Sequence, residues 1–272
     1  MNESVEKSQP SLFTEARRCL DVSELEDKIR FTQRLAALWR EGGLTLREEG
    51  APQVAVTAGH PPNPQLVSVR DLPKRSFHTP IGRAALFHSI AHIEFNAINL
   101  ALDAVYRFRG MPEKFYSDWL QVADEEAYHF GLIQSHLQHL GYEYGDFTAH
   151  NGLWESAQQT AFDVMVRMAL VPRVLEARGL DVAPGIMDRL ARAGDDKAVE
   201  ILKIIQRDEV GHVEIGSHWF HYCCAERGLD SEATFFSLIN QYMKGVLKGP
   251  FNIEARIKAG FSASELNKLQ GV

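Results

Sequence analysis

Cysteine is scarce: the 272 residues hold three, Cys19, Cys223 and Cys224. None forms a C-x-x-C pair, and a bridge between the adjacent Cys223 and Cys224 would be strained, so structural thiols are expected and no disulfide frame. Long apolar runs are missing too. Nothing approaches the roughly 20 residues that span a bilayer. Met1–Ser11 is polar and has no signal-peptide core, so a cytoplasmic protein that does not enter membranes is expected. There is no excess of basic charge. The formal net charge is −7, which speaks against a partner with a nucleic-acid backbone. A flavin or nicotinamide fingerprint is absent, as is any low-complexity segment. Hydrophobic residues make up 45% and charged residues 24%, the balance of a soluble globular chain able to bury a sizeable core.

Proline, by contrast, is concentrated. Six of the eleven (Pro52, Pro61, Pro62, Pro64, Pro73, Pro80) fall within residues 51–80, which excludes a long helix there and predicts an ordered loop or linker. The alternation Val54, Val56 predicts at most one short strand. Before this arm, a helix is expected over Ser23–Glu41, with Ser23 and Glu26 as a capping box and Gly42 as its stop. After it the sequence reads as helix almost throughout. Thr79-Pro80 opens a helix to Arg109. Others are expected over Pro112–Leu140, Gly152–Arg178 and Asp195–Arg227, ended by Gly141, Gly179 and Gly228. A short helix is expected at Gly185–Ala193, a fifth helix at Ser231–Leu247, and a small terminal one capped by Ser262 and Glu265. Four helices of this length joined by short loops predict an all-α antiparallel bundle. The domain reading is an N-terminal helix and proline-rich arm (1–79), a bundle (80–228) and C-terminal helices packing on it (229–272).

The apolar stripes of these helices are interrupted by ionisable residues. Glu94 lies among Phe87, Ile90, Ala91, Ile98, Ala101, Leu102 and Val105. Glu126 and His129 lie among Phe115, Trp119, Val122, Ile133 and Leu137. Glu209 and His212 lie among Ala198, Leu202, Ile205, Gly216 and Trp219. A lone buried carboxylate is expensive and neutralises unless compensated. Several converging on one core need a strong positive partner, and a pair of divalent metals is the natural one. The i, i+3 spacing of Glu126-x-x-His129 and Glu209-x-x-His212 sets each pair on one helical face. The pattern also repeats. Glu94 precedes Glu126 by 32 residues and His129 by 35, while Glu176 precedes Glu209 by 33 and His212 by 36. Pro172 should kink or bulge the helix before Glu176. Glu155 is the rival on that helix; the repeat favours Glu176.

The segments His92-Ile93-Glu94-Phe95-Asn96-Ala97, Glu125-Glu126-Ala127-Tyr128-His129, Val174-Leu175-Glu176-Ala177-Arg178 and Asp208-Glu209-Val210-Gly211-His212 resemble the ferritin-like di-iron or di-manganese carboxylate superfamily. That superfamily takes one Glu from each of two helices and Glu-x-x-His from the other two. The resemblance covers residues 80–227, and the chain with its proline-rich lead-in is similar to an uncharacterised bacterial ferritin-like family of unknown function. It implies a ferritin-like four-helix bundle with added terminal helices. Glu94 and Glu176 would be the carboxylates of the single-ligand helices, Glu126 and Glu209 would bridge two iron or manganese ions, and His129 and His212 would bind one each. Asp208 stands where an Asp hydrogen-bonds a ligating His; Glu125 holds that place in the first half. The function implied is an O2-activating oxidoreductase, a hydroxylase or oxidase of a small or carrier-bound substrate held in an apolar cavity and supplied with electrons by an external reductase. A ferritin-type metal-binding or storage protein is the alternative. A homodimer is compatible with the sequence.

Other polar residues have plainer readings. His92 lies about 200° around its helix from Glu94, so with His88 it is assigned to surface or packing. His136, His139, His218 and His221 are read as structural, Tyr106 and Tyr128 as ordinary core tyrosines, and Arg107, Arg109, Arg173 and Arg178 as complements to helix dipoles.

Overall fold

A computed structural model describes residues 9–47, 50–53, 56–73, 76–243 and 247–271. These residues are all-α. They contain no strand, only the isolated bridges Ser11–Thr45 and Leu66–Ala149. Among them no helix is long and apolar enough to cross a membrane. The Val54 half of the predicted alternation lies outside the described residues; Val56 is buried in loop. The chain forms two compact units, residues 1–62 with 94–128, and residues 63–93 with 129–272.

The first unit opens with a helix the sequence reading omitted, α1 (Leu12–Asp21). Its buried residues Leu12, Phe13, Ala16, Cys19 and Leu20 keep helical spacing, so this stretch is amphipathic. Helix α2 (Leu25–Arg40) starts after Glu24, which makes no side-chain cap bond. The cap position falls on Glu24, one residue beyond Ser23, so the expected Ser23–Glu26 box has the wrong register and does not form. Gly42 closes α2 at φ +71°, a conformation glycine adopts without a Cβ penalty. Lys28 is fully buried on α2. Its ammonium donates to Leu20 O and Asn99 Oδ1, both at 2.8 Å, and burial pulls its pKa down to about 7.

Helices α3 (Pro80–Arg107) and α4 (Glu113–His139) match their predicted spans closely. The Thr79 hydroxyl caps α3 by accepting from Gly82 N at 3.1 Å. From Glu94 to Phe108 every residue of this stretch is buried, so its apolar face is wider than a stripe.

In the second unit the predicted third helix proves to be several pieces: α5 (Gly152–Gln159), α6 (Val164–Leu170), a π segment (Val171–Glu176) and α7 (Ala177–Arg192). The break before α6 is set by Asp163, whose carboxylate accepts from Met165 N at 2.7 Å. Arg167 turns back to hydrogen-bond Thr160 Oγ1 at 2.7 Å and Ala157 O. Gly179 does not stop the helix, which absorbs the predicted short helix and contains Pro184. Helix α8 (Asp196–Glu226) is capped by Asp195, which accepts from Ala198 N at 3.1 Å. Helix α9 (Ser231–Tyr242) is shorter than predicted; residues 244–246 of the predicted span lie outside the described residues. An unforeseen α10 (Ile253–Lys258) follows. Then comes α11 (Ala263–Gln270), where the Ser262–Glu265 capping box forms as expected.

Candidate metal centre

Helix α4 carries two of the ionisable groups on one face. Glu126 is 1% and His129 0% exposed, because the i, i+3 spacing puts both beside the buried Val122, Phe130 and Ile133. Glu94 of α3 is 4% exposed. Glu209 and His212 of α8 share a face in the same way. Glu209 is half-buried, His212 is buried, and His212 Nδ1 lies 3.2 Å from Glu209 Oε1. Glu94, Glu126, His129 and Glu209 each offer one ligand atom, and all four atoms lie within 4.8 Å of one another. This group could hold a metal ion.

Three carboxylates so close in buried surroundings repel one another when ionised. The set itself contains no lysine or arginine. A metal cation is a partner that would let them share one space as anions, and carboxylate oxygens with one imidazole are donors such an ion can take. The imidazole is oriented for the task. His129 Nε2 lies 3.1 Å from Asp208 Oδ2. A carboxylate there accepts from Nε2–H, which leaves Nδ1 as the ring's lone-pair nitrogen. Burial raises the Asp208 carboxyl, but hydrogen bonds from Arg207 and His129 outweigh it and hold its pKa below the ordinary Asp value. The histidine paired with Asp208 is thus His129, from the other Glu-x-x-His segment. Glu125 has a different partner: its Oε1 accepts from Gln121 Nε2 at 3.0 Å.

Glu176 and His212 lie outside the group of four. Glu176 ends the π segment and is half-buried. His212 has its ring centroid 5.8 Å from that of His129. The rival Glu155 is exposed in the first turn of α5. Pro172 does bulge its helix. With no N–H to donate, it leaves the ordinary ladder incomplete, and the turn widens into the π form.

The remaining polar residues have structural work. His92 donates Nε2–H to His150 O at 3.1 Å and accepts from Tyr144 OH at Nδ1, 2.8 Å. His88 Nε2 accepts from Gly145 N at 2.9 Å, and burial, helped by the neighbouring His92, lowers its pKa to about 4. Together they pin the loop after α4. Tyr128 is exposed, not a core residue. Arg173 does not complement a helix dipole; it is fully buried against Glu265. Arg107 does stand in the last turn of α3, where it also makes a buried ion pair with Asp103. The cleft of about 820 Å³ lined by Trp39, Leu44, Leu120, Asp124 and Glu125 includes none of the six predicted ligands.

The chain is 54% identical over 217 residues, 77% of its length and 75% of the relative's, to an uncharacterized protein of Haemophilus influenzae. No solved structure matches it. Residues 21–267 match the family described as a protein of unknown function, DUF455. With nearly its whole length matched, the chain belongs to the DUF455 family.

Proposed function

We propose that this protein is a ferritin-like di-metal carboxylate protein and acts as an O2-activating oxidoreductase, a hydroxylase or oxidase of a small or carrier-bound substrate. On this reading residues 80–228 form the four-helix bundle from α3, α4, the α6–π–α7 helix and α8, with the N-terminal arm and the C-terminal helices added to it. The observation that carries it is the group Glu94, Glu126, His129 and Glu209, gathered within 4.8 Å at positions where the sequence repeats Glu and Glu-x-x-His. Glu126 and Glu209 would be shared by two iron or manganese ions, with Glu94 and His129 completing one set and Glu176 and His212 the other.

When bound, such a pair supplies Lewis acidity and, as iron, electrons for reducing dioxygen. The chain's own part is to bind and orient. Asp208 fixes the His129 proton on Nε2, and full burial keeps the imidazole out of bulk water. Electrons for repeated turnover would come from a partner reductase.

The test is anaerobic loading with Fe(II), then admission of air while dissolved O2 is followed. Uptake that continues with a chemical reductant and fails in Glu126→Ala supports the reading. Accumulation of many irons per chain with no sustained uptake would point to the storage alternative, and the absence of both would contradict both readings.

A further inference from the structure

Pro172 and Gly216 interlock. A Cβ at Gly216 would meet Pro172 Cβ and Cγ at 2.3 Å, so the absence of a side chain lets the proline ring sit against α8. Gly216 follows Glu209 by seven residues and His212 by four, so all three share one face of α8. The π segment therefore packs over the stripe that carries Glu209 and His212. It returns to α8 through α7 and the turn at Ala193–Asp195, so the two run antiparallel around Gly194. Pro172 and Gly216 each lie 22 residues from Gly194, and Glu176 and His212 each lie 18 away. The contact at Pro172 thus sets a register that brings Glu176 level with His212.

The residue after the proline holds that register from the other side. Arg173 is 0% exposed. Its Nε donates to Ser217 Oγ at 3.2 Å, next to Gly216 on α8, and its Nη2 donates to Glu265 Oε1 at 2.7 Å on α11. The guanidinium carbon lies 4.9, 4.2 and 4.5 Å from the ring centroids of Phe220, Phe235 and Phe261. Glu265 is fixed in turn, its Oε2 accepting from Ser262 N at 2.8 Å in the α11 capping box. A planar guanidinium reaching two directions at once is a task lysine cannot copy.

We propose that Arg173 is a positioning residue for the metal centre. Clamped by Ser217 and Glu265, it holds the π bulge in the register that presents Glu176 beside His212, so the C-terminal helix α11 is part of the apparatus that builds the second metal position. This rests on the reading of Glu176 and His212 as ligands.

The test compares the wild type, Glu176→Gln and the paired exchange Arg173→Met with Glu265→Gln, which removes both charges together and leaves no lone buried ion. Each is loaded anaerobically with Fe(II), and bound metal is counted by elemental analysis beside a far-ultraviolet circular dichroism spectrum. The wild type should hold about two metals per chain and both variants about one, with helix content unchanged. A folded paired variant that still holds two overturns the role of Arg173 while the two-metal reading stands. Glu176→Gln holding two, or a wild type holding no more than about one, overturns that reading and this proposal with it. Arg173→Lys is the second variant, for the case that the paired exchange does not fold. It keeps the buried charge but not the fork, and should lose at least about tenfold in affinity for the second metal; wild-type affinity overturns the proposal.

Discussion

At the scale of single residues, the site depends on which nitrogen of which histidine carries a proton. Asp208 holds His129 Nε2 at 3.1 Å, so Asp208→Asn should weaken orientation without removing a ligand. Metal affinity should fall about 10- to 100-fold, measured by competition with a calibrated chelator; unchanged affinity would show that the pair is only structural. His88 gives the pH prediction. It accepts a hydrogen bond as neutral imidazole and its pKa is lowered from 6.5 to about 4. The folded state thus binds fewer protons than the unfolded chain between these values. The stabilisation is complete above pH 6.5 and is lost as pH falls toward 4. His88→Gln keeps an acceptor for Gly145 N without titrating. The loss of stability between pH 7 and 4.5, read by urea denaturation, should be smaller in the variant by roughly 2 kcal/mol, and equal losses would rule the histidine out. Glu94, Glu126, His129 and Glu209 were legible because an ionisable group in an apolar stripe is conspicuous, whereas Glu176 rested on the repeat spacing alone. Lys28 and Arg173, equally buried, were not, because their partners Asn99 and Glu265 lie far along the chain, where helical spacing gives no signal.

At the scale of elements, the sequence was readable wherever glycine and a capping side chain mark the ends, as in α3, α8 and α11. It was misread between Gly152 and Arg192. Gly179 looks like a stop, yet it lies exposed in a continuing helix, and the real break at Asp163 depends on Arg167 reaching back to Thr160. Helix α1 was missed for another reason: its charges dilute a short stripe that becomes obvious only once burial is seen. The bulge at Pro172, in contrast, followed from the missing N–H alone. Its fit against α8 predicts that Gly216→Ala destabilises the protein by about 1–3 kcal/mol. A thermal melt checks this, and a variant as stable as wild type would mean that the two helices separate without penalty.

At the scale of the whole molecule, the all-α class was legible from helix-length periodicity and the clustering of proline before residue 80. The assembly of Glu94, Glu126, His129 and Glu209 was foreseeable from the repeated Glu and Glu-x-x-His offsets. Spacing cannot say whether four groups or six close around metal, because that depends on register across the π segment. The most direct measurement is therefore the metal content of the protein, purified and then loaded anaerobically with Fe(II), beside Glu126→Ala and His129→Ala. The account predicts about two metals per chain in the wild type and a marked loss in both variants, with their helical spectra retained. Fewer than about one metal per chain in the wild type, with the two substitutions making no difference, would contradict it.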